Sequence, residues 1–186
     1  MQKRAILIGH TAEKPGAVRT RDGKTERQIL ESFREYLNFQ IKPSGNTVII
    51  DKPHGQGTDI SGIFARIAEA KRQNVEFAIE LHINNVPPGK TDNYSLLLYS
   101  ESATPIAEAL KEHFAAFIRD AGVERWVMTK IPDPNWPNFA AITQAPYPAI
   151  IFEPFFINNP KHTVAERALF EFCPLLVKFM ETYKNH

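Results

Sequence analysis

Cysteine and long apolar runs are scarce in this sequence. Cys173 is the single cysteine among 186 residues, so no disulfide can form within the chain and its stability does not require an oxidising compartment. No segment reaches the roughly 18 consecutive apolar residues that a membrane-spanning helix needs. These absences exclude a disulfide scaffold and a membrane-spanning protein, and they predict that Cys173 is a buried free thiol.

An excess of charge of either sign is also missing. Lys and Arg number 22 and Asp and Glu number 21, which leaves a formal net charge of +1. Such a chain lacks the one-signed field that attracts nucleic acid or an anionic membrane surface. It has no internal repeat, and its length suits one hydrophobic core. We therefore predict one domain over residues 1–186, with no nucleic-acid partner.

The first nine residues do not have the pattern of an export signal. The basic pair Lys3-Arg4 is followed by only four apolar residues, 5–8, before Gly9. This stretch is too short for the apolar core of a signal peptide. We predict a strand here and expect a soluble protein that is made in the cytoplasm.

Short apolar runs alternate along the chain with segments of helical period, the pattern of an α/β fold. The predicted strands are residues 5–8, 48–50, 77–81, 95–99 and 149–152. Amphipathic helices are predicted near residues 26–37, 60–68 and 106–117. The order predicts a three-layer α/β sandwich, in which helices flank a twisted sheet that is mixed but mostly parallel.

Capping residues predict where two of the helices begin. Thr25 and Gln28 form a capping box, so the first helix should start near Glu26. A second capping box starts at Thr163, before the C-terminal apolar stretch. Pro174 lies inside that stretch and is expected to interrupt or kink the last helix.

Four polar residues stand at the ends of predicted elements. His10 follows the first strand, His82 follows the third, Glu153 follows the last, and Glu26 opens the first helix. Because α/β folds gather their sites at the carboxyl ends of strands, these side chains are expected to meet at one edge of the sheet. Two histidines, a carboxylate and an open fourth position are typical of a catalytic zinc. His10, Glu26 and His82 would supply that set.

Each of these residues has a structural explanation as well. A single histidine is more often a hydrogen-bonded structural residue than a metal ligand, and Glu26 would stabilise the helix dipole in any case. Glu153 is harder to explain in this way, because it follows Phe152 and precedes the apolar residues 154–156. Burial of its charge would cost roughly several kcal/mol unless it were paired, protonated or close to a metal. Glu153 therefore indicates a functional site.

Three regions of the sequence carry these residues in recognisable motifs. They are residues 10–17 (HTAEKPGA) with 23–26 (GKTE), residues 80–84 (ELHIN) and residues 152–160 (FEPFFINNP). Over nearly the whole chain they resemble the zinc-dependent N-acetylmuramoyl-L-alanine amidases, the peptidoglycan amidase family often called amidase 3. The first motif of the family is His-Gly-Gly-x-Asp-Pro-Gly-Ala. The second is Ser-Ile-His-Ala-Asn. The third is Val-Glu-x-Gly-Phe-Leu-x-Asn-Pro.

The resemblance implies a reaction and a role for each residue. One zinc ion would be held by His10, Glu26 and His82, and Glu153 would be the catalytic acid and base. The reaction would be hydrolysis of the amide bond between N-acetylmuramic acid and L-alanine, in peptidoglycan or in a muropeptide. The substrate-binding residues would be Asn84 and Arg66.

Several positions depart from the family pattern. Thr11-Ala12 replaces the glycine pair, Lys14 replaces the aspartate, Phe155 replaces a glycine and Glu80 replaces a serine. The chain is therefore interpreted as a diverged member, whose chemistry is better indicated than its substrate range. Glu80 lies on the same strand face as His82. It is either a carboxylate that supports His82 or a competing metal ligand.

Other candidate residues carry weaker indications. His54, Trp136 and Phe139 lie in loops that could line a cleft, although His54 is better explained as a surface loop residue, and Trp136 and Phe139 could serve only to pack their loop. For His113 and His162 nothing beyond the residue type indicates a function.

Two other functions fit the same site residues. One is a zinc carboxypeptidase or amidohydrolase that acts on soluble peptides or acylated amino acids. The other is a non-catalytic cell-wall-binding module, which an open three-ligand set with a separate glutamate argues against, because structural zinc is normally held by four ligands. A lysin that acts at the cell wall after release and a wall-recycling enzyme are both compatible with the expected site of synthesis.

Overall fold

The computed structural model describes residues 2–42, 45–52, 59–85, 93–131, 139–158 and 165–184, with the backbone alone for residues 59–60 and 165–169. Strands and helices alternate along these ranges. The strands are β1 (Lys3–Ile8), β2 (Thr47–Ile50), β3 (Val75–Leu81), β4 (Tyr94–Tyr99), β5 (Arg125–Lys130) and β6 (Ala149–Glu153). The helices are α1 (Glu26–Gln40), α2 (Asp59–Arg72), α3 (Thr104–Asp120), α4 (Ala140–Thr143) and α5 (Ala165–Thr182), with a 3₁₀ turn at Glu101–Ala103.

The strands form a six-stranded sheet in the order β2-β1-β3-β6-β4-β5. The neighbours β2, β1, β3 and β6 run parallel to one another, β4 is antiparallel to β6, and β5 is parallel to β4. The predicted mixed but mostly parallel sheet is therefore confirmed. Because β1, β3 and β6 are adjacent and parallel, their carboxyl ends lie side by side at one edge.

Alternating side chains place a helical layer on each face of the sheet. Ile6 and Ile8 of β1 pack on the face that α1, α3 and α5 cover. Ala5 and Leu7 pack on the opposite face, against α2, and α4 covers the same face further along the sheet. This alternation follows from the period of two along a strand. The result is the predicted three-layer α/β sandwich.

Helix α1 begins where the capping residues predict. The Thr25 hydroxyl accepts from the backbone N–H of Gln28 at 3.2 Å, and the Gln28 side chain accepts from the N–H of Thr25 at 2.9 Å. Both bonds satisfy donors that have no partner within the helix. The box fixes Glu26 as the first helical residue, and its side chain is buried.

The end of the chain differs from the prediction. Helix α5 continues through Pro174 without interruption. Phe172 and Cys173 before the proline, and Leu176 and Val177 after it, are all buried in the core. Packing on both sides holds the helix together despite the missing N–H. The second capping box, at Thr163, lies outside the described residues.

Two further predictions can be compared with the structure. Cys173 is a buried free thiol, as predicted, and burial raises its pKa to about 12. Among the described residues, no helix is both long and apolar enough to cross a membrane.

Candidate metal centre

The ends of three adjacent strands bring the candidate residues together. In the sheet, Ile8 pairs with Leu81, and Leu81 pairs with Phe152. His82 directly follows β3 and Glu153 is the last residue of β6, so both stand at the edge beyond these paired positions. His10 comes two residues after β1 and reaches the same edge. Parallel strands therefore place His10, His82 and Glu153 as the sequence predicts.

His10, Glu26 and His82 form a group whose candidate ligand atoms all lie within 4.8 Å of one another. The Nε2 atom of His10 lies 3.0 Å from Oε2 of Glu26. The Nδ1 atom of His82 lies 3.3 Å from Oε1 of Glu26 and 3.2 Å from Nε2 of His10. One carboxylate and two imidazole nitrogens thus face a common point.

The carboxylate of Glu26 is fixed by main-chain donors as well as by the histidines. Its Oε1 accepts from the N–H of Ile83 at 2.7 Å, and its Oε2 accepts from the N–H of Ala17 at 3.4 Å. Burial opposes the charge of Glu26, but hydrogen bonds to His10 and His82 outweigh it and lower the pKa to about 2. Glu26 is therefore ionised at neutral pH and ready to bind a cation.

The ring of His82 lies between two carboxylates. Its Nδ1 faces Glu26, and its Nε2 lies 3.4 Å from Oε1 of Glu80. Burial disfavours the charged ring, but hydrogen bonds to Glu26 and Glu80 prevail and raise the pKa of His82 to about 10. Without a metal the ring is therefore protonated at neutral pH.

Backbone geometry around His10 is unusual. Its φ angle is 59°, in the left-handed region that non-glycine residues rarely occupy. Its carbonyl oxygen accepts from the guanidinium groups of Arg27 and Arg66, each at 3.4 Å. Two buried cations therefore hold a strained turn in place, which is a recurring feature of functional sites.

Two glycines make room for the ligand side chains. A Cβ atom on Gly16, whose φ is 76°, would lie 2.6 Å from Oε2 of Glu26 and 2.7 Å from Nε2 of His10. A Cβ on Gly9 would lie 2.6 Å from Cε1 of His82. Glycine at both positions lets the main chain pass close to the histidine rings. Gly16 belongs to the first of the sequence motifs that contain these ligands.

Glu153 stands at the end of β6, close enough to interact electrostatically with His82, Glu26 and His10. Burial raises its pKa, while the charge of His82 lowers it and the charge of Glu26 raises it further. The side chain is partly exposed, so it can reach a bound molecule. A carboxyl group whose pKa is raised by burial suits proton transfer.

Arg66 and Asn84 differ in their burial and in their hydrogen bonds. The Arg66 side chain is 1% exposed and donates to Oε1 of Glu80 at 2.6 Å. Asn84 joins the end of β3 to the loop after β6, because its N–H donates to the carbonyl of Phe155 and its own carbonyl accepts from Ile157, both at 2.8 Å. Substrate binding by these two residues stays a prediction. For Arg66 the burial indicates a supporting position instead.

The remaining candidates are distant from this edge or fall outside the described residues. His113 contacts the carbonyl of Leu175 at 2.9 Å through its Nε2, so it joins α3 to α5 within the core. Phe139 precedes α4 and packs against the apolar cluster of β4 and α4. His54, Trp136 and His162 lie outside the described residues.

Arg27 and Asp51 support the site although the sequence analysis did not select them. Arg27 is 2% exposed and donates to both carboxylate oxygens of Asp51, at 2.7 and 2.8 Å. A signal was present, because Asp51 follows β2 at the same edge of the sheet. In addition, Arg27 shares a buried helical face with Leu30 and Leu37.

Asn158 also supports the site, although the sequence indicated it only as part of the third motif. Its Oδ1 accepts from the N–H of Thr20 at 2.7 Å and from the Thr20 hydroxyl at 3.1 Å. Its Nδ2 donates to the carbonyl of Val18 at 3.1 Å and to Oδ1 of Asn85 at 3.2 Å. Asn158 therefore ties three loops together beside the site.

The donor atoms fit a zinc ion in both spacing and chemistry. Bonds of about 2.0–2.1 Å to the corners of a tetrahedron place neighbouring ligand atoms roughly 3.3 Å apart. The two imidazole nitrogens lie 3.2 Å apart, and each has one oxygen of the Glu26 carboxylate at a similar spacing, Oε2 at 3.0 Å from His10 and Oε1 at 3.3 Å from His82. Nitrogen and carboxylate donors are also the types that zinc accepts, and three of them leave a position open for water or substrate.

Comparisons with known proteins identify the family and the fold. The sequence profile of the N-acetylmuramoyl-L-alanine amidase family matches residues 5–165. No curated protein matches the chain in sequence.

Solved structures share the fold at low sequence identity. The N-acetylmuramoyl-L-alanine amidase AmiC2 of Nostoc punctiforme superposes with a TM-score of 0.69 at 15% identity, over 96% of this chain and 93% of that chain. The catalytic domain of CwlV, an N-acetylmuramoyl-L-alanine amidase from Bacillus (Paenibacillus) polymyxa var. colistinus, gives 0.67 at 17% identity, over 97% and 94%. The catalytic domain of the CD27L endolysin, which targets Clostridia difficile, gives 0.69 at 18% identity over 100% of both chains.

The family match covers most of the chain and includes His10, Glu26, His82 and Glu153. The structural likeness shows that the fold is the one found in these amidases. Together they support an enzyme that degrades peptidoglycan by amide hydrolysis. The chain belongs to the N-acetylmuramoyl-L-alanine amidase family.

Proposed function

We propose that this chain is a zinc-dependent enzyme that hydrolyses the amide bond between N-acetylmuramic acid and L-alanine. The observation that carries the proposal is the convergence of His10, His82 and the Glu26 carboxylate, whose candidate ligand atoms lie within 4.8 Å of one another, with Glu153 within electrostatic range of them. Family membership supplies the substrate class, and the donor set supplies the metal. Residues 1–186 are proposed to act as one catalytic domain.

The three ligands are arranged to bind one zinc ion. His10, Glu26 and His82 come from different elements but are fixed by the sheet edge, by the start of α1 and by main-chain hydrogen bonds. When bound, zinc supplies a Lewis acid that polarises the amide carbonyl and makes an attacking water more acidic. The ionised carboxylate of Glu26 balances part of the charge of the ion.

Glu153 is proposed to move the protons of the reaction. As general base it takes a proton from the attacking water, and as general acid it returns one to the leaving amine of L-alanine. Burial raises the pKa of Glu153 above that of an ordinary glutamate, which favours its action as a general acid. Its place at the end of β6 fixes it beside the ligands, although its neighbours in sequence are apolar.

The substrate is proposed to be peptidoglycan or a muropeptide released from it, and the site of action is proposed to be the cell wall after release from the cytoplasm. Asn84 is proposed to contact the substrate, because it lies directly beyond His82 and joins the two loops at this edge. Arg66 is not proposed as a contact, since its guanidinium group is buried against Glu80.

Digestion of purified peptidoglycan tests the proposal. The samples are zinc-loaded wild type, wild type treated with a chelator, and Glu153→Gln. Glu108→Gln is the matched control, because it makes the same substitution at an exposed position of α3 that pairs with Lys111. Mass spectrometry counts the new free L-alanine amino termini. Loss of general acid and base catalysis should slow Glu153→Gln by roughly 10²–10⁴-fold.

Each result has a distinct meaning. Wild type and Glu108→Gln should release L-alanine termini, whereas the chelated enzyme and Glu153→Gln should release almost none. If Glu153→Gln matches wild type, the role of Glu153 is wrong. If wild type cleaves N-acylated amino acids or soluble peptides but leaves peptidoglycan and muropeptides intact, the amidohydrolase alternative replaces the proposed substrate.

A further inference from the structure

We infer that Glu80, held by Arg66, is a positioning residue that orients the ring of His82 so that Nδ1 faces the metal. The inference rests on the proposed zinc-dependent function and deepens it. It concerns a position where the sequence departs from the family motif, since glutamate stands where that motif has serine.

Strand geometry places Glu80 next to the ring that it would orient. Glu80 is on β3, two residues before His82, and therefore on the same face of the strand. Arg66 projects toward this face from α2. The Nη2 atom of Arg66 lies 2.6 Å from Oε1 of Glu80, and Nε2 of His82 lies 3.4 Å from the same oxygen.

The two nitrogens of the His82 ring have different partners. Nδ1 belongs to the cluster of candidate ligand atoms with His10 and Glu26. Nε2 lies instead 3.4 Å from Oε1 of the Glu80 carboxylate. An imidazole that binds zinc through one nitrogen commonly donates its other N–H to a carboxylate, which fixes the ring and makes it a better donor. The contacts of His82 match that arrangement.

The same contacts argue against Glu80 as a competing ligand. Its Oε1 contacts Arg66 and lies near Nε2 of His82, the ring nitrogen that is not part of the candidate ligand group. Among the described residues, the group able to hold a metal consists of His10, Glu26 and His82 and does not include Glu80. Glu80 can therefore act on the metal only through His82.

The burial of Glu80 explains why Arg66 is needed beside it. Glu80 is 2% exposed, and a carboxylate buried so deeply needs a partner of opposite charge. Arg66 supplies that charge and also donates to the carbonyl of His10 at 3.4 Å. The Arg66–Glu80 pair thus contacts His82 through its ring and His10 through its main chain.

Zinc affinity of Glu80→Gln tests the inference. The matched control is Glu76→Gln, which makes the same substitution on the same strand and also removes the partner of an arginine, Arg4, away from the site. Loss of the carboxylate should weaken zinc binding roughly 10–100-fold. Glu76→Gln should bind zinc like wild type. Excess zinc should restore peptidoglycan hydrolysis to Glu80→Gln, and it should not restore hydrolysis to Glu153→Gln.

A measurement on the wild type keeps the inference testable if Glu80→Gln does not fold. NMR of protein with ¹⁵N-labelled histidine identifies which nitrogen of His82 binds zinc. We expect Nδ1 to carry the shift of a metal-bound nitrogen and Nε2 to carry a proton. In folded Glu80→Gln the Nε2–H signal should move, and in Glu76→Gln it should not.

The outcomes separate this inference from the function on which it rests. A wild type that binds no zinc overturns the proposed function and the inference together. A wild type that binds zinc through Nε2 of His82, or a folded Glu80→Gln that binds zinc as tightly as Glu76→Gln, overturns only the inference. A Glu80→Gln variant that is fully loaded with zinc but inactive also contradicts a role in positioning.

Discussion

Gly16 and Gly122 share a backbone conformation but differ in the atoms that surround them. Both have a positive φ, 76° and 79°, which a residue with a Cβ adopts at a cost of about 1–2 kcal/mol. At Gly122 a Cβ atom would meet no atom within 4 Å. At Gly16 it would overlap His10 and Glu26, so Gly16 is required by the site as well as by the turn.

Gly16→Ala should therefore weaken metal binding, whereas Gly122→Ala should not. Both variants carry the same backbone strain, but the overlap at Gly16 adds to it, so the melting temperature of Gly16→Ala should fall further than that of Gly122→Ala. The added methyl group of Gly16→Ala also pushes the ligand atoms apart, and zinc affinity should fall roughly tenfold or more, as when support for a ligand is lost. Isothermal titration with zinc measures this. Equal zinc affinities of the two variants would show that the close contact at Gly16 has no role.

Individual residues of the site were predicted from the sequence to different degrees. His10, His82 and Glu153 could be placed together because each follows a short apolar run, and parallel strands end at one edge. The support of His82 by Glu80 was one of two alternatives, since strand periodicity gives the face of a residue but not the direction of its carboxylate. Arg27 was missed, although its spacing from Leu30 and Leu37 places it on the buried face of α1.

At the scale of elements, the start of α1 couples helix stability to the site. The capping box of Thr25 and Gln28 sets the first turn, and Glu26 follows Thr25 directly. Main-chain bonds from Glu26 to the carbonyl of Ala17 at 2.7 Å and from Arg27 to that of Pro15 at 2.9 Å bind this turn to the loop after His10. Loss of the cap should therefore alter the positions of the metal ligands.

Thr25→Ala should lower both stability and zinc affinity. Loss of the cap costs about 0.5–2 kcal/mol of unfolding free energy. Thr182→Ala is the control, because its hydroxyl bonds to the carbonyl of Lys178 in the exposed last turn of α5 and caps nothing. Denaturant unfolding gives the free energies, and zinc titration gives the affinities. If Thr25→Ala is as stable as Thr182→Ala, the capping box does not contribute to the fold.

The elements that the sequence did not predict are an edge strand and a very short helix. Strand β5 lies at the edge of the sheet, and its residues are exposed or half-buried. Its apolar residues, 126–128, are consecutive and do not alternate, so periodicity gave no signal. Helix α4 has only four residues and is too short to show a helical period. At Pro174 an interruption was one of the predicted outcomes, and it does not occur, because packing around α5 outweighs the missing hydrogen bond.

For the whole molecule, the order of the strands determines the site. The alternation of strands and helices predicted the layers and the parallel core of the sheet. It did not predict that β6 inserts between β3 and β4, a pairing between segments that are distant in sequence. That insertion brings Glu153 beside His82. Only the carboxyl-end rule for α/β folds indicated that the four residues would meet.

Zinc titration with a measurement of proton release tests the central claim most directly. The pKa of His82 is raised to about 10 without a metal, whereas that of Glu26 is lowered to about 2. At pH 7 the His82 ring is therefore protonated and Glu26 is already ionised. Zinc needs a neutral imidazole, so binding should displace a proton from His82, and affinity should rise with pH toward 10.

We predict one zinc ion per chain for wild type, with about one proton released per ion at pH 7. His10→Ala and His82→Ala should each lose high-affinity binding, and the control Glu76→Gln should keep it. A wild type that takes up no zinc, or a His82→Ala variant that binds zinc as tightly as wild type, would contradict a metal centre built from His10, Glu26 and His82.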